Sequence, residues 1–171
     1  MKILQINVTC GKGSTGVIAI EIAKRLEAKG HDAYIAYGQG VTDYPKSFKI
    51  GSNLENKFHG LYHTRILGME GFGTICGTKR FIKWVDSIQP DVIQIHNLHS
   101  NFLNFPMFFD YVKKKKIPIV YSLFDCWAFT GKCTHFTEPN CRKWEVRCGD
   151  CPRLQLDHQH GFLTVPGYYT T

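Results

Sequence analysis

The 171-residue sequence has no apolar run near the ~20 residues that a membrane-spanning helix requires, so no transmembrane segment is predicted. Its N-terminus lacks the long apolar region and the small-residue cleavage site of a secretory signal, and we therefore expect a cytoplasmic protein. Aromatic residues do not alternate with basic ones as they would in a nucleic-acid platform. Despite a net charge of +7, we predict no nucleic-acid partner.

The composition is that of one ordinary domain with a real core, at 43% hydrophobic and 20% charged residues. Strands are predicted at 2–8, 32–37, 47–51, 92–96 and 117–123, and helices at 15–28, 54–67, 78–88 and 105–115. In the first helix, Ile18, Ile22 and Leu26 share the apolar face. Strands that alternate with helices through short loops predict a parallel sheet with helices on both faces, a Rossmann-like α/β domain.

The main basic run, KKKK at residues 113–116, comes just before Ile117 and Pro118, where a helix should end. Cations interact favourably with the negative end of a helix, so we interpret the run as a solvated last turn. The alternative is a contact with an anionic membrane surface.

Ligands of such a sheet bind outside the carboxyl ends of its strands, and three loops leave strands there. The first is TCGKGSTG, residues 9–16, in which Gly11, Gly13 and Gly16 let the backbone come close to a ligand. The helix that follows offers unpaired N–H groups to an anion. The loop is either a phosphate-facing loop or a tight turn, and it lacks the full signature of a P-loop or a dinucleotide site.

The second loop is HNLHSN, residues 96–101, which follows the fourth strand. His96, Asn97 and His99 offer hydrogen-bond donors and acceptors, and polar contacts with a hydroxylated ligand fit them better than a metal does. The alternative is that these residues only cap and turn the chain before the next helix.

The third loop begins the segment 124–152, FDCWAFTGKCTHFTEPNCRKWEVRCGDCP. Asp125 directly follows the last predicted strand and is a candidate acid, base or ligand-orienting group, the alternative being a turn or capping role. We interpret Trp127 and Phe129 as core aromatics.

Cysteines are concentrated in the same segment, and four of them read C-x7-C-x6-C-x2-C: Cys133, Cys141, Cys148 and Cys151. A structural zinc site, disulfides and packed thiols all remain open, and His135 could replace one zinc ligand. The remaining cysteines, Cys10, Cys76 and Cys126, are predicted to be free thiols.

Taken together, residues 1–153 resemble the N-terminal domain of bacterial family-4 retaining glycosyltransferases of the GT-B architecture, in the branch that makes colanic acid, capsule and other surface polysaccharides. The resemblance lies in KILQINV with GSTGVIAIEIA, in PDVIQIHNLHSNFLN, and in IPIVYSLFDCWAFTGKC followed by CRKW and CGDCP. The last block is the most specific of the three.

The resemblance implies two Rossmann-like domains that face each other across a cleft, one for the acceptor and one for the sugar nucleotide. It implies that Gly13, Ser14, Thr15 and Gly16 approach the donor diphosphate. It also implies that His96, Asn97 and His99 line the side of a glycan or lipid-linked acceptor. The sugar would be transferred with retention and without a catalytic metal, because helix ends and basic residues stabilise the leaving diphosphate. A peripheral contact with the inner membrane face is a further expectation.

The sequence departs from the family pattern in three places. Phe124 stands where relatives usually have a histidine, and Lys132 where many have histidine or glycine. Residues 154–171 diverge, and no donor-binding half follows, so we expect a truncated chain that is inactive alone. The alternatives are a non-catalytic partner module that pairs with a separate donor domain, and a small zinc-binding α/β protein.

Overall fold

Five parallel strands form one sheet in the computed structural model, which describes residues 1–130, 133–148 and 152. The strands are β1 (Lys2–Thr9), β2 (Asp32–Gln39), β3 (Ser47–Lys49), β4 (Val92–Ile95) and β5 (Ile119–Tyr121). Their order across the sheet is β3-β2-β1-β4-β5, and all four pairings are parallel. This is the Rossmann-like order: the chain adds β2 and β3 on one side of β1 and then returns to add β4 and β5 on the other side. The predicted fold class is confirmed.

The helices occupy the connections between these strands. They are α1 (Gly13–Ala28), α2 (Asn53–Phe58), which continues directly into a π-helix (His59–Ile66), α3 (Ile75–Ile88) and α4 (Phe105–Lys115). A short 3₁₀ turn follows at Lys143–Glu145. The single helix predicted at 54–67 is therefore an α-helix that widens into π geometry, which the sequence period does not indicate.

Helix α4 has the bounds that the sequence predicts, because its ends carry strong signals. The side chain of Asn104 accepts a hydrogen bond from the backbone N–H of Met107 at 3.1 Å, and Pro106 lies in the first turn. Its last turn consists of lysines, of which Lys115 pairs with Asp86 at 2.7 Å, and the chain leaves through Lys116 in the left-handed conformation. The basic run is a helix end, as predicted.

Helices cover both faces of the sheet. One face carries the larger core, in which α3 and α4 pack against β1 and β4 through large side chains such as Phe81 and Phe108. On the other face, α1 lies against β2 through Ala19 and Ala23. The predicted apolar face of α1 was wrong for Ile18, which is exposed. The buried residues of α1 are small (Gly16, Ala19 and Ala23), so the helix approaches the strands closely and Ile18 lies on its outer side.

No helix among the described residues is both long and apolar enough to span a bilayer. Strand β5 lies at the edge of the sheet and is shorter than the predicted 117–123, and Val120 within it is 54% exposed.

Candidate functional site

The carboxyl ends of β1, β4 and β5 lie side by side, because these strands are neighbours in the sheet. The three loops that the sequence analysis selects therefore meet at one edge, next to the point where the strand order reverses. In open α/β sheets this is where ligands bind. Residues far apart in sequence are brought together here by the parallel pairing alone.

His99 and Asp125 form the centre of this edge. Nε2 of His99 lies 3.2 Å from Oδ2 of Asp125, and their side chains are only 27% and 13% exposed. The other carboxylate oxygen, Oδ1, accepts a hydrogen bond from the backbone N–H of Trp127 at 2.9 Å. Asp125 thus has the turn role that was the alternative prediction for it, and its carboxylate also orients the ring of His99. Such a carboxylate–imidazole pair is suited to moving a proton.

Ser100 extends this pair to a chain of three polar groups. Its hydroxyl lies 2.8 Å from Nδ1 of His99, so the imidazole is held between Ser100 and Asp125. The backbone of Ser100 has a φ of +85°, and that of Asn101 a φ of +61°, which are unusual for residues other than glycine. Strained backbone of this kind concentrates at functional sites, where the surrounding contacts maintain it.

Two residues that the sequence analysis missed maintain the strained backbone of Ser100. The carboxylate of Glu70 accepts a hydrogen bond from the N–H of Ser100 at 2.8 Å, and Gln39 donates to its carbonyl at 3.2 Å. Glu70 lies in the glycine-rich stretch between two helices, and no local pattern marks it as part of a site. Only the packing of that stretch against the loop after β4 reveals it.

His96 begins the same loop and is fully buried. The amide of Gln5 donates to the carbonyl of Ala19 at 3.0 Å, so its Oε1 faces Nε2 of His96 at 2.8 Å and accepts the proton of that nitrogen. Nδ1 is therefore an acceptor, and it has no hydrogen-bond partner among the described residues. Burial lowers the pKa of His96, which favours this neutral form.

Phe124 covers His96 at the surface. The two rings are nearly parallel, with centroids 5.6 Å apart, and Phe124 remains 42% exposed. The residue that departs from the family pattern thus shields a buried imidazole acceptor from solvent.

Asn7 of β1 lies next to His96 in the sheet, one step beyond the paired residues Ile6 and Ile95. Its amide nitrogen donates to the carbonyl of Thr9 at 2.9 Å and to the hydroxyl of Thr15 at 3.3 Å. Its Oδ1 is buried and, within the described part of the chain, has no partner. Gln5 and Asn7 are polar residues at alternate positions of an otherwise apolar strand, and this pattern is a sequence signal of a site at the end of β1.

The glycine-rich loop places the start of α1 above Asn7. Gly11 and Gly13 both have positive φ angles, and Gly13 and Ser14 are exposed. Gly16 is buried, and a Cβ there would lie 2.6 Å from Oγ1 of Thr9, so no larger residue fits. The side chain of the N-cap residue Lys12 makes no capping hydrogen bond in the described structure, which leaves N–H groups of the first turn of α1 without a cap. Because α1 follows the carboxyl end of β1, this turn lies at the same edge as His99 and Asp125. Whether this loop receives a phosphate stays a prediction.

A polar cleft of about 300 Å³ opens on the other side of Ser100. It lies between the end of β2, the start of α2 and the loop after β4. Besides Gly38, the described residues that line it have polar side chains: Gln39, Asn53, Asn56, Lys57, Ser100 and Asn101. Amide groups supply both donors and acceptors, which suits a ligand with many hydroxyl groups.

The predicted site residues thus divide into two groups. His96, His99 and Asp125 come together at one edge with the first turn of α1, although His96 is too deeply buried to be a surface contact. Asn97 lies in the same loop and is half-buried, and among the described residues no hydrogen bond or ion pair joins it to the histidine–carboxylate pair.

Three aromatic rings of the cysteine-rich segment form a small cluster of their own. The rings of Phe129, Phe136 and Trp144 pack on one another, with centroids 4.9 to 6.5 Å apart. Cys133 is buried, and its carbonyl accepts a hydrogen bond from the hydroxyl of Thr130 at 2.8 Å. Trp127 packs against the main core, as predicted. The prediction that Phe129 is a core aromatic was wrong, because Phe129 is 42% exposed and packs only in this smaller aromatic cluster.

The zinc hypothesis stays a prediction. Within residues 1–130 and 133–148, no three histidine, cysteine or acidic side chains lie close enough to hold a metal ion, and Cys151 lies outside the described residues, as does Lys132. The isolated cysteines, Cys10, Cys76 and Cys126, are free thiols as predicted, and Cys141 is free as well.

These features define a Rossmann-like domain with a polar site at the carboxyl edge of its sheet. No protein-family model matches the chain. The chain is similar to the colanic acid biosynthesis glycosyl transferase WcaC of Escherichia coli (strain K12), which carries that name provisionally, with 28% identity over 167 residues. The match covers 90% of this chain and 40% of the relative, so the chain spans about two-fifths of the relative's length. The predicted resemblance to the N-terminal part of a surface-polysaccharide glycosyltransferase is thereby confirmed.

Proposed function

We propose that this chain is the acceptor-side domain of a retaining, GT-B-type glycosyltransferase that acts in the synthesis of bacterial surface polysaccharide. The observation that carries the proposal is the chain of Ser100, His99 and Asp125 between the polar cleft and the uncapped start of α1. The similarity to the colanic acid relative supports the class of reaction.

In this proposal the acceptor, a glycan or a lipid-linked sugar, lies in the polar cleft. Gln39 and Lys57 would hold its hydroxyl groups, and the reacting hydroxyl would pass its proton through the hydroxyl of Ser100, which lines the cleft, to Nδ1 of His99. Asp125 would stabilise the imidazolium that forms when His99 takes up a proton. The paired geometry supports this role because the carboxylate contacts the ring nitrogen opposite Ser100.

The sugar-nucleotide donor would place its diphosphate at the first turn of α1, near Gly13 and Ser14. Backbone N–H groups there favour negative charge, and the side chain of the N-cap residue Lys12 does not bond to them in the described structure. We propose that the remaining donor contacts come from a second domain, because the chain spans 40% of the relative's length. The 171 residues would then be inactive alone, and they would act in the cytoplasm, where sugar nucleotides are available.

Nuclear magnetic resonance of the 171-residue chain tests the placement of both ligands. Uridine diphosphate should shift the amide signals of Gly13 and Ser14, and a panel of short oligosaccharides should shift those of Gln39 and Ser100. The cleft at the opposite end of the sheet, which includes Pro90 and Lys116, is the internal control. Shifts confined to that control, or none with either ligand class, would contradict the proposal.

Two further measurements test the chemistry. Incubation of the chain alone with sugar nucleotides and oligosaccharides should give no transfer product, and turnover would contradict its inactivity. When the chain is combined with a donor-binding domain, the anomeric configuration of the product, read from its proton spectrum, should equal that of the donor. An inverted product would refute retention but leave sugar transfer intact.

A further inference from the structure

The continuous helix formed by α2 and the π-helix exposes its large apolar side chains to solvent, whereas an ordinary surface helix buries them. None of its residues from Asn53 to Phe58 is buried, and His59 is the only buried residue between His59 and Ile66. Large apolar side chains of the helix, and that of Leu67 directly after it, face solvent instead. Six of them are at least 39% exposed: Leu54, Phe58, Leu61, Tyr62, Ile66 and Leu67. We call these six residues the outer apolar face.

Polar anchors hold this helix to the domain in place of apolar packing. Nε2 of His59 accepts hydrogen bonds from the backbone N–H groups of Gly71 and Gly73 at 3.1 and 3.2 Å, and its Nδ1 lies 2.8 Å from the hydroxyl of Thr74. Asn56 donates to the carbonyl of Gly38 at 2.9 Å. The outer apolar face is therefore not needed to attach the helix, and it remains available to a partner.

The charges around this face have one sign. The exposed charged residues of the helix are Lys57 and Arg65. The only acids between residues 52 and 83 are Glu55 and Glu70, and both turn inward: Glu55 accepts from the N–H of Gly77 at 2.8 Å, and Glu70 accepts from that of Ser100. Arg80 adds a further cation beside Glu55.

An apolar helix face with aromatic residues and a rim of cations is the pattern of a helix that lies in a membrane interface. Apolar side chains that cluster at a protein surface mark interaction sites. Phe58 and Tyr62 stack with their ring centroids 5.5 Å apart, which presents two aromatic rings together at the surface.

We propose that the outer apolar face docks on an anionic lipid bilayer, with its aromatic and aliphatic side chains among the acyl chains and with Lys57 and Arg65 at the headgroups. The inference goes beyond sugar transfer and does not depend on it. It also has a geometric consequence, because Asn53 and Lys57 of the same helix line the polar cleft. A docked helix would place that cleft at the membrane surface.

Sedimentation with lipid vesicles tests the proposal on the full chain. Vesicles that contain phosphatidylglycerol should bind the protein, and pure phosphatidylcholine vesicles should bind it at least ~10-fold more weakly. The double variant Phe58→Ser/Tyr62→Ser should lose ~10-fold or more of the binding through its apolar contribution. The variant Lys57→Glu/Arg65→Glu should lose as much at low salt, and less at high salt because ions screen the charges.

The lysines at the end of α4 provide the matched control. Lys113→Glu/Lys114→Glu changes the net charge by the same amount as Lys57→Glu/Arg65→Glu, but at the opposite end of the sheet. It should leave most of the binding intact. If this control abolishes binding while the variants of the outer apolar face do not, the proposal is wrong.

Circular dichroism and sedimentation velocity complete the test. All the substituted side chains are exposed, so each variant should keep the helical spectrum of the parent chain. A dimer that dissociates in Phe58→Ser/Tyr62→Ser, without binding of the parent chain to vesicles, would show that a second copy covers the face and would overturn the lipid assignment.

Discussion

Nε2 of His99 lies 3.2 Å from Oδ2 of Asp125, and the two residues come from loops after neighbouring strands of the sheet. Because the second carboxylate oxygen of Asp125 accepts the N–H of Trp127, the carboxylate cannot rotate away without breaking a turn. The turn at Trp127 thus holds the carboxylate in place, and the pairing of β4 with β5 brings it next to His99.

Substitution of Asp125 should separate its two roles. Asp125→Asn keeps an oxygen for the Trp127 N–H and removes only the charge beside His99, so we expect a loss of about 1 kcal/mol or less in unfolding free energy. Asp125→Ala also leaves the N–H of Trp127 without its acceptor, which should cost roughly 1–3 kcal/mol more. Urea denaturation of both variants measures the difference, and equal losses would mean that the turn bond contributes nothing.

Removal of the ring of Phe124 should raise the lowered pKa of His96. Burial lowers the pKa of His96, and Phe124 covers the imidazole, so Phe124→Ala should admit water and raise that pKa towards its ordinary value. Imidazole signals followed by nuclear magnetic resonance across a pH series would show the shift. Phe129→Ala is the matched control, since Phe129 is also 42% exposed but packs with Phe136 and Trp144 instead. A similar shift in the control would argue against shielding by Phe124.

Acid should weaken the domain through His59. Burial, assisted by the nearby His63, lowers the pKa of His59 to about 4, whereas the unfolded chain has a value near 6.5. Between these values the unfolded state binds more protons, so stability is full above about pH 6.5 and falls as the pH drops towards 4, by about 3 kcal/mol. Unfolding free energies of the parent chain and His59→Gln, measured from about pH 7 to about pH 4.5, should differ in slope. Equal slopes for the two proteins would contradict this prediction.

Metal analysis of freshly purified protein should decide between the interpretations of the four clustered cysteines. One zinc per chain, lost together with thiol protection when a chelator is added, would support a structural site at Cys133, Cys141, Cys148 and Cys151. No zinc, with all four thiols reactive in the unfolded chain without reductant, would remove both the zinc and the disulfide hypotheses. Replacement of Cys76, an exposed thiol outside the segment, is the control and should leave the zinc content unchanged.

Local signals explain why some elements could be predicted closely and others could not. Helix α4 has a capping asparagine, a proline in its first turn and lysines in its last, so its bounds follow from the sequence. The face of α1 could not be predicted as well, since hydrophobic periodicity gives weight to Ile18 and none to Gly16. Which of the two meets the sheet depends on how closely the helix approaches, and that distance is a tertiary property.

The sequence alone determined the alternation of strands and helices, the three loops at the carboxyl edge and the resemblance to a polysaccharide glycosyltransferase, because each rests on a local pattern. Only the tertiary structure decided that Asp125 contacts His99, that Glu70 supports Ser100, and that the helix after β3 turns its apolar side outward. These relationships join residues that are 26 and 30 positions apart, or depend on which side of a helix the domain covers. No pattern within a short window encodes them, since they arise when the parallel strands bring their loops to a common edge.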